Sequence, residues 1–289
     1  MIDRRRLIAA LPLAAAPPLA RSAPLQWGAG DFRAMDGATI RFRRRGRGPG
    51  LVIVHGAFDT PETWFQTADL LADRFNVFIL ERRGWRLPPP DDGSRAYDRE
   101  KADIAVLLGI AGAGSHLFGH SSGGALALDY ARSHSIAGRL VVYDPALPLG
   151  GPVGGAALAP LKAFIAAGQL DEALRVTLRD IIRVSPQDFK AIAESADWAV
   201  MRPLVVNFPR EVEAVDALPT DPSAYAAIKA PTSLIVGELS QEHPLHDSAR
   251  KLAAAWPALR VLTLEGLGHM AVTDAPAKMA AAMQSLLLS

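Results

Sequence analysis

The sequence of 289 residues has no cysteine, which excludes disulfides, thiolate metal sites and a cysteine nucleophile without fixing the compartment. An excess of one charge sign is also missing. The 31 Lys and Arg stand against 30 Asp and Glu, for a formal net charge of +1. With no long basic run in the body of the chain, there is no electrostatic reason to expect nucleic acid or an anionic membrane as partner. No internal repeat is visible. What is present in quantity is apolar residues, 49% of the chain against 21% charged. That is enough to bury one large core without help from metal or disulfides, so one globular domain with an insertion is expected. A small neutral molecule is the substrate class that fits this charge balance.

The first residues read differently from the rest. Arg4-Arg5-Arg6 precedes the apolar run Leu7 to Ala16, and small residues follow up to Ala23. Charged region, short apolar region and small-residue cleavage zone together describe an export signal over residues 1–23. Arg4-Arg5 before Leu7-Ile8 is similar to a twin-arginine signal, short of the full consensus. The expected location is therefore the periplasm, with a basic disordered terminus on a cytoplasmic protein as the alternative. The apolar run is too short and too rich in proline to span a bilayer as a mature helix.

Downstream, strand and helix signals alternate. Asp31 to Ala34 and Ala38 to Phe42 flank Met35-Asp36-Gly37, whose Asp-Gly step predicts an antiparallel hairpin at a sheet edge. Leu51 to Val54, Val77 to Leu80, Ser115 to Gly119, Leu140 to Tyr143, Ser233 to Val236 and Val261 to Leu264 are short apolar runs of the kind that form buried strands. Helical patterns open at Thr60-Pro61, with Thr60 as expected N-cap, and run over about 97–110, 122–132 and 245–256. Such alternation implies a mostly parallel sheet flanked by helices. Residues 148–222 break the rhythm with helical patterns over about 158–167, 170–184 and 186–200, and are expected to form a helical cap inserted between core segments 24–147 and 223–289. Phe164, Leu174, Leu178, Trp198 and Met201 are the cap residues expected either to roof a pocket or to pack the cap onto the sheet.

Gly119-His120-Ser121-Ser122-Gly123 lies between an apolar strand and the helix-forming Ala125-Leu126-Ala127-Leu128. This context turns a common G-x-S-x-G pattern into a sharp strand-to-helix turn that exposes the Ser121 hydroxyl above the sheet as a candidate nucleophile. A serine hydroxyl needs a base to take its proton. Of the seven histidines, His269 follows the last strand in Leu267-Gly268-His269, on the same sheet edge and in the chain order Ser before His. His55 and His120 read as supports of their turns; His116, His134, His243 and His246 read as surface or loop residues. The N–H groups of Ala57, after His55-Gly56, and of Ser122 are the expected oxyanion donors. The acid is the open position: Asp144 at the end of one strand is favoured, Glu242 comes next, and Glu238 is the third candidate.

Taken together, His55-Gly56, Glu81-Arg82-Arg83-Gly84, Gly119 to Gly124, Asp144-Pro145, Gly237-Glu238 and Gly268-His269 resemble the α/β-hydrolase superfamily over about residues 50–285. Small bacterial esterases, C–C bond hydrolases and cofactor-free haloperoxidases are the similar groups. The resemblance implies an α/β-hydrolase fold and a serine hydrolase that works through an acyl-enzyme on an ester-like carbonyl, with neither metal nor organic cofactor. Hydrolytic C–C cleavage, acyl transfer or a non-catalytic binding protein on the same fold are the alternatives. Ser240 departs from the pattern, since such relatives often place the catalytic Asp there, and this supports an acid shifted to Asp144. Ser121 argues against the superfamily's dehalogenases and epoxide hydrolases, which use Asp at this turn.

Overall fold

The computed structural model describes residues 26–85, 96–240 and 244–289. The export signal expected over residues 1–23, the tract Pro88-Pro89-Pro90, Glu242 and His243 lie outside these. Eight strands form one sheet in the order β1-β2-β4-β3-β5-β6-β7-β8. The hairpin of β1 (Gly28–Arg33) and β2 (Thr39–Gly46) sits at one edge and is antiparallel. β3 (Gly50–Val54), β4 (Asn76–Leu80), β5 (His116–His120), β6 (Leu140–Tyr143), β7 (Thr232–Gly237) and β8 (Arg260–Leu264) run parallel. At the hairpin turn Gly37 takes φ 83° and the Asp36 carboxylate accepts from the Ala38 N–H at 3.1 Å, as an Asp-Gly turn requires.

Strands β3 and β6 are buried at every position, because both sheet faces are covered. On one face pack α1 (Phe65–Leu71), α11 (Ala271–Asp274) and α12 (Pro276–Leu287), around Leu51, Ile53, Trp64, Leu71, Ile79 and Met283. The other face carries α2 (Ala96–Ala111), α3 (Ser121–Ser133) and α10 (Leu245–Ala255), with Val52, Val54, Ile104, Leu126, Val142 and Leu252 in the core. Thr60 does not cap by its side chain as expected: the chain enters α1 through a 3₁₀ turn, Pro61–Trp64, and Asp59 does the local work by accepting from Thr60 N–H and Trp64 Nε1, both at 3.0 Å.

Between β6 and β7 the described chain forms helices only. These are α4 (Leu158–Ala166), α5 (Leu170–Val176), α6 (Pro186–Glu194), α7 (Asp197–Leu204), α8 (Phe208–Asp216) and α9 (Ser223–Ala226). The helix expected over 170–184 divides into α5 and a π-helical turn, Thr177–Ile182, ended by Arg183 at φ 59°. That expected over 186–200 divides at Ser195, whose hydroxyl accepts from the Asp197 N–H at 3.1 Å and so starts α7. Leu174 and Leu178 are buried in the core, while Phe164, Trp198 and Met201 are partly buried against it. No described helix is long and apolar enough to cross a membrane.

Candidate active site

Among the described residues, three of the four non-glycine residues with left-handed φ stand at the carboxyl edge of the sheet: Phe58 at 57° after β3, Ser121 at 55° after β5 and Asp144 at 41° after β6. Such conformations cost roughly 1–3 kcal/mol each and persist where the surroundings hold them. At Ser121 the cause is visible. β5 turns straight into α3, and a Cβ on Gly119 would fall 2.5 Å from Gly123 O, while one on Gly123 would fall 2.2 Å from His55 O. Only hydrogen fits there, so the helix lies against β3 and β5 and lifts Ser121 out of the strand. Ser121 is partly exposed, whereas Ser122 through Ala131 are buried.

The Asp144 carboxylate, with a fully buried side chain, joins three strand ends. Oδ1 accepts from the Gly237 N–H at 3.1 Å, Oδ2 accepts from the Ser240 hydroxyl at 2.6 Å, and Oδ2 lies 3.3 Å from Nδ1 of His269. A carboxylate can only accept, so Nδ1 carries the hydrogen and Nε2 is left as the basic nitrogen. The loop bearing His269 is fixed from below. Tyr143 OH donates to Gly268 O and accepts from the Ala271 N–H, and His120 Nε2 donates to His269 O at 3.1 Å. The rings of His120 and His269 lie 4.5 Å apart between centroids. Burial, followed by the nearby His269, pushes His120 well below the usual histidine range, so it supports the site as a neutral ring. Its Nδ1 is buried without a partner.

The other acid candidates differ in setting. Glu238 is exposed, and its Oε2 accepts from the Gly266 N–H at 2.7 Å on the β7–β8 side; Glu242 is outside the described residues. Among the described residues, no hydrogen bond joins the Ser121 hydroxyl to His269.

The expected oxyanion donors flank Ser121. A Cβ on Gly56 would stand 3.0 Å from the Ser121 Cβ, so the turn carrying Ala57 abuts Ser121. Ser122 N–H is one of the first-turn donors that a helix leaves without an internal acceptor. His55 is fully buried beneath this turn. Its Nδ1–H donates to Gly56 O at 2.9 Å and its Nε2 accepts from the Arg82 N–H at 3.3 Å. Burial, with Arg82 adding to it, pushes His55 down to about 3, which agrees with a structural histidine. His116 accepts from Arg139 N–H, His134 stacks on Tyr130 and His246 is exposed. Among the described residues, no group of acidic, histidine or cysteine side chains has the arrangement of a metal site.

Sequence reasoning gave no role to a buried polar group at the end of β4, where Arg82 meets Glu100 of α2 and Glu211 of α8. A signal was available: an arginine two residues after the all-apolar Val77 to Leu80 must find partners or leave the sheet edge.

A family model described as the alpha/beta hydrolase family matches residues 51–282. The crystal structure of an alpha/beta hydrolase from Sphaerobacter thermophilus is similar at a TM-score of 0.76 and 29% identity, covering 89% of this chain and 99% of that one. An uncharacterized protein of Mycobacterium tuberculosis is 25% identical over 274 residues, 86% of this chain and 78% of its own length. N-formylmaleamate deformylase of Pseudomonas putida is 34% identical over 116 residues, 38% of this chain and 41% of its own length. With the matching region extending from β3 into α12, and the parallel sheet that carries the site inside it, the chain belongs to the alpha/beta hydrolase family.

Proposed function

We propose that this hydrolase is serine-dependent and cleaves a small ester-like or related carbonyl compound through an acyl-enzyme. Ser121 Oγ attacks the carbonyl carbon while Nε2 of His269 takes its proton. Ala57 and Ser122 N–H receive the negative charge that develops on the carbonyl oxygen. His269 then hands the proton to the leaving group, and water repeats the sequence to free the acid product. Asp144 holds the tautomer and stabilises the imidazolium. The observation that carries this reading is the contact between Asp144 and His269, made from the same sheet edge at which Ser121 is held in a left-handed turn. It also counts against the non-catalytic reading, whose support is the absence of an acid at position 240.

The helical insertion and the oxyanion turn meet in an aromatic cluster. Phe58 has its ring centroid 5.1 Å from Trp85 and 5.1 Å from Phe208 at the start of α8. An apolar wall of this kind suits a small substrate with an apolar part. Treating the purified protein with a fluorophosphonate probe and a panel of p-nitrophenyl esters tests the reading. Labelling and ester turnover are expected, and both disappear in Ser121→Ala; turnover that survives that substitution defeats the proposal.

A further inference from the structure

One buried guanidinium holds both the carbonyl of the peptide just before the one that presents Ala57 N–H and the side chain of Ser122, next to the two expected oxyanion donors. The Arg82 side chain has 0% exposure, and each of its nitrogens is engaged. Nε donates to Glu100 Oε2 at 2.7 Å, and Nη2 donates to Glu100 Oε1 at 3.3 Å and to Glu211 at 2.9 and 3.1 Å. Nη1 donates to His55 O and to Ser122 Oγ, both at 3.2 Å. The backbone N–H of Arg82 holds the His55 ring as well. Tyr97 closes the network: its hydroxyl is 3.0 Å from Ser122 O and 3.2 Å from Glu211 Oε1.

Two features give this cluster a task beyond stitching helices to the sheet. First, His55 O belongs to the peptide just before the one that presents Ala57 N–H, and Ser122 presents the second donor itself. The planar fork of an arginine sets the two anchor points relative to each other, which a flexible ammonium does not. Second, Glu211 comes from α8, in the helical insertion, and bonds to both Arg82 and Tyr97. How α8 is seated therefore bears on the same two residues, His55 and Ser122.

We propose that Arg82 is a positioning residue that fixes the spacing of the two oxyanion donors, and that Glu211 makes the seating of the helical insertion part of that spacing. This rests on the serine-hydrolase reading above. Oxyanion donors act on charge that appears in the transition state, so slack between them slows the chemical step and leaves ground-state binding alone. A cluster that only stabilised the fold would lower the melting temperature and leave the rate of the folded enzyme unchanged.

The test is the inactivation of the full-length protein by a fluorophosphonate, resolved into the limiting rate kinact and the binding constant KI. Ser121→Ala is run beside Arg82→Lys, Glu211→Gln and Tyr97→Phe. In Arg82→Lys, kinact is expected to fall about tenfold to a hundredfold, below the ~10²–10³-fold seen when a donor is removed outright, with KI within about threefold. Glu211→Gln and Tyr97→Phe, which leave the guanidinium in place, are expected to lose about threefold to tenfold in kinact in the same pattern. Variants that are folded at the assay temperature by circular dichroism and keep kinact within twofold, or change KI alone, overturn the proposal. Should Arg82→Lys not fold, the other two decide by the same criterion. Labelling that persists in Ser121→Ala is a different failure, that of the serine reading itself.

Discussion

Asp144 and His269 are 125 residues apart in sequence, yet Oδ2 of the one lies 3.3 Å from Nδ1 of the other, across the ends of β6 and β8. The intervening strand β7 carries Ser240 after it, and its hydroxyl binds the same Oδ2 at 2.6 Å. The carboxylate thus stands one strand end away from position 240, with a hydroxyl filling the space there. Replacing Asp144 by Asn keeps the shape but favours the wrong tautomer of His269 and removes the charge that stabilises its cation. In the serine-protease precedent this costs about 10⁴-fold in turnover. A loss of at least a hundredfold in ester hydrolysis is expected for Asp144→Asn, while Glu238→Gln and Glu242→Gln stay within about threefold.

Ser240 shares that oxygen with His269, and its own residue is 1% exposed. In Ser240→Ala the Asp144 carboxylate keeps Gly237 N–H and His269 but loses its shortest bond. A destabilisation of about 1–3 kcal/mol is expected, in the range for a buried hydrogen bond to a charged group. Denaturant unfolding measures it. A Ser240→Ala protein as stable as the parent would show that the hydroxyl contributes nothing to holding the carboxylate.

How much of this was legible beforehand depends on which physical rule governs each part. Strands buried on both faces announce themselves as apolar runs, and Leu51 to Val54 and Leu140 to Tyr143 occupy the predicted positions. Strand β2, between β1 and β4, extends past its expected end at Phe42 to Gly46, through Arg43, Arg44 and Arg45, which stay paired with β4. Those arginines look like loop, but their long side chains find partners beside the strand: Arg45 with Asp69, Arg43 with Glu62 and Arg44 with Asn76. Ser121 and its flanking glycines stood out because a strained turn leaves a local signature, and His269 because it follows the last apolar strand. Choosing Asp144 over Glu238 was not a local question, since it depends on which strand end lies beside β8's loop. The partners of Arg82 were hidden for the same reason: Glu100 and Glu211 come from helices 18 and 129 residues away.

The same cluster predicts a pH dependence of stability. Burial, opposed by Arg82 and reinforced by Glu211, pushes Glu100 up from its ordinary 4.5 to about 7. Between these values the folded protein binds a proton that the unfolded chain releases, so this group's contribution to stability is full below about 4.5 and is lost as pH rises through 7. Histidine 55 works in the opposite sense, because its folded value of about 3 makes acid unfavourable to the native state. The difference between parent and Glu100→Gln isolates the carboxyl: the parent's advantage over the variant should shrink as pH rises from 4.5 to 7. An advantage that stays flat across that window would mean that Glu100 is ionised throughout.

The last expectation contrasts two glycines in helices. Gly109 lies in α2 with nothing within 4 Å of an added Cβ, and it is exposed. Gly109→Ala therefore gains helix propensity and reduces the freedom of the unfolded chain, for a stabilisation of about 0.5–1 kcal/mol. Gly123 lies in the first turn of α3, where an added Cβ would meet His55 O at 2.2 Å and Val54 O at 2.4 Å. Both are backbone atoms, one at the end of β3 and one just after it, so the helix must move away from β3 to make room. That displacement shifts Ser121 relative to the turn of Gly56 and Ala57, and an error of about 1 Å in such a site can cost a hundredfold in rate. Gly123→Ala is accordingly expected to lower the melting temperature and to lose at least about a hundredfold in fluorophosphonate labelling rate where it still folds. Thermal melts and labelling kinetics on the two variants decide the matter: a Gly123→Ala protein that melts and reacts like Gly109→Ala would show that α3 is not held against β3 as the structure has it.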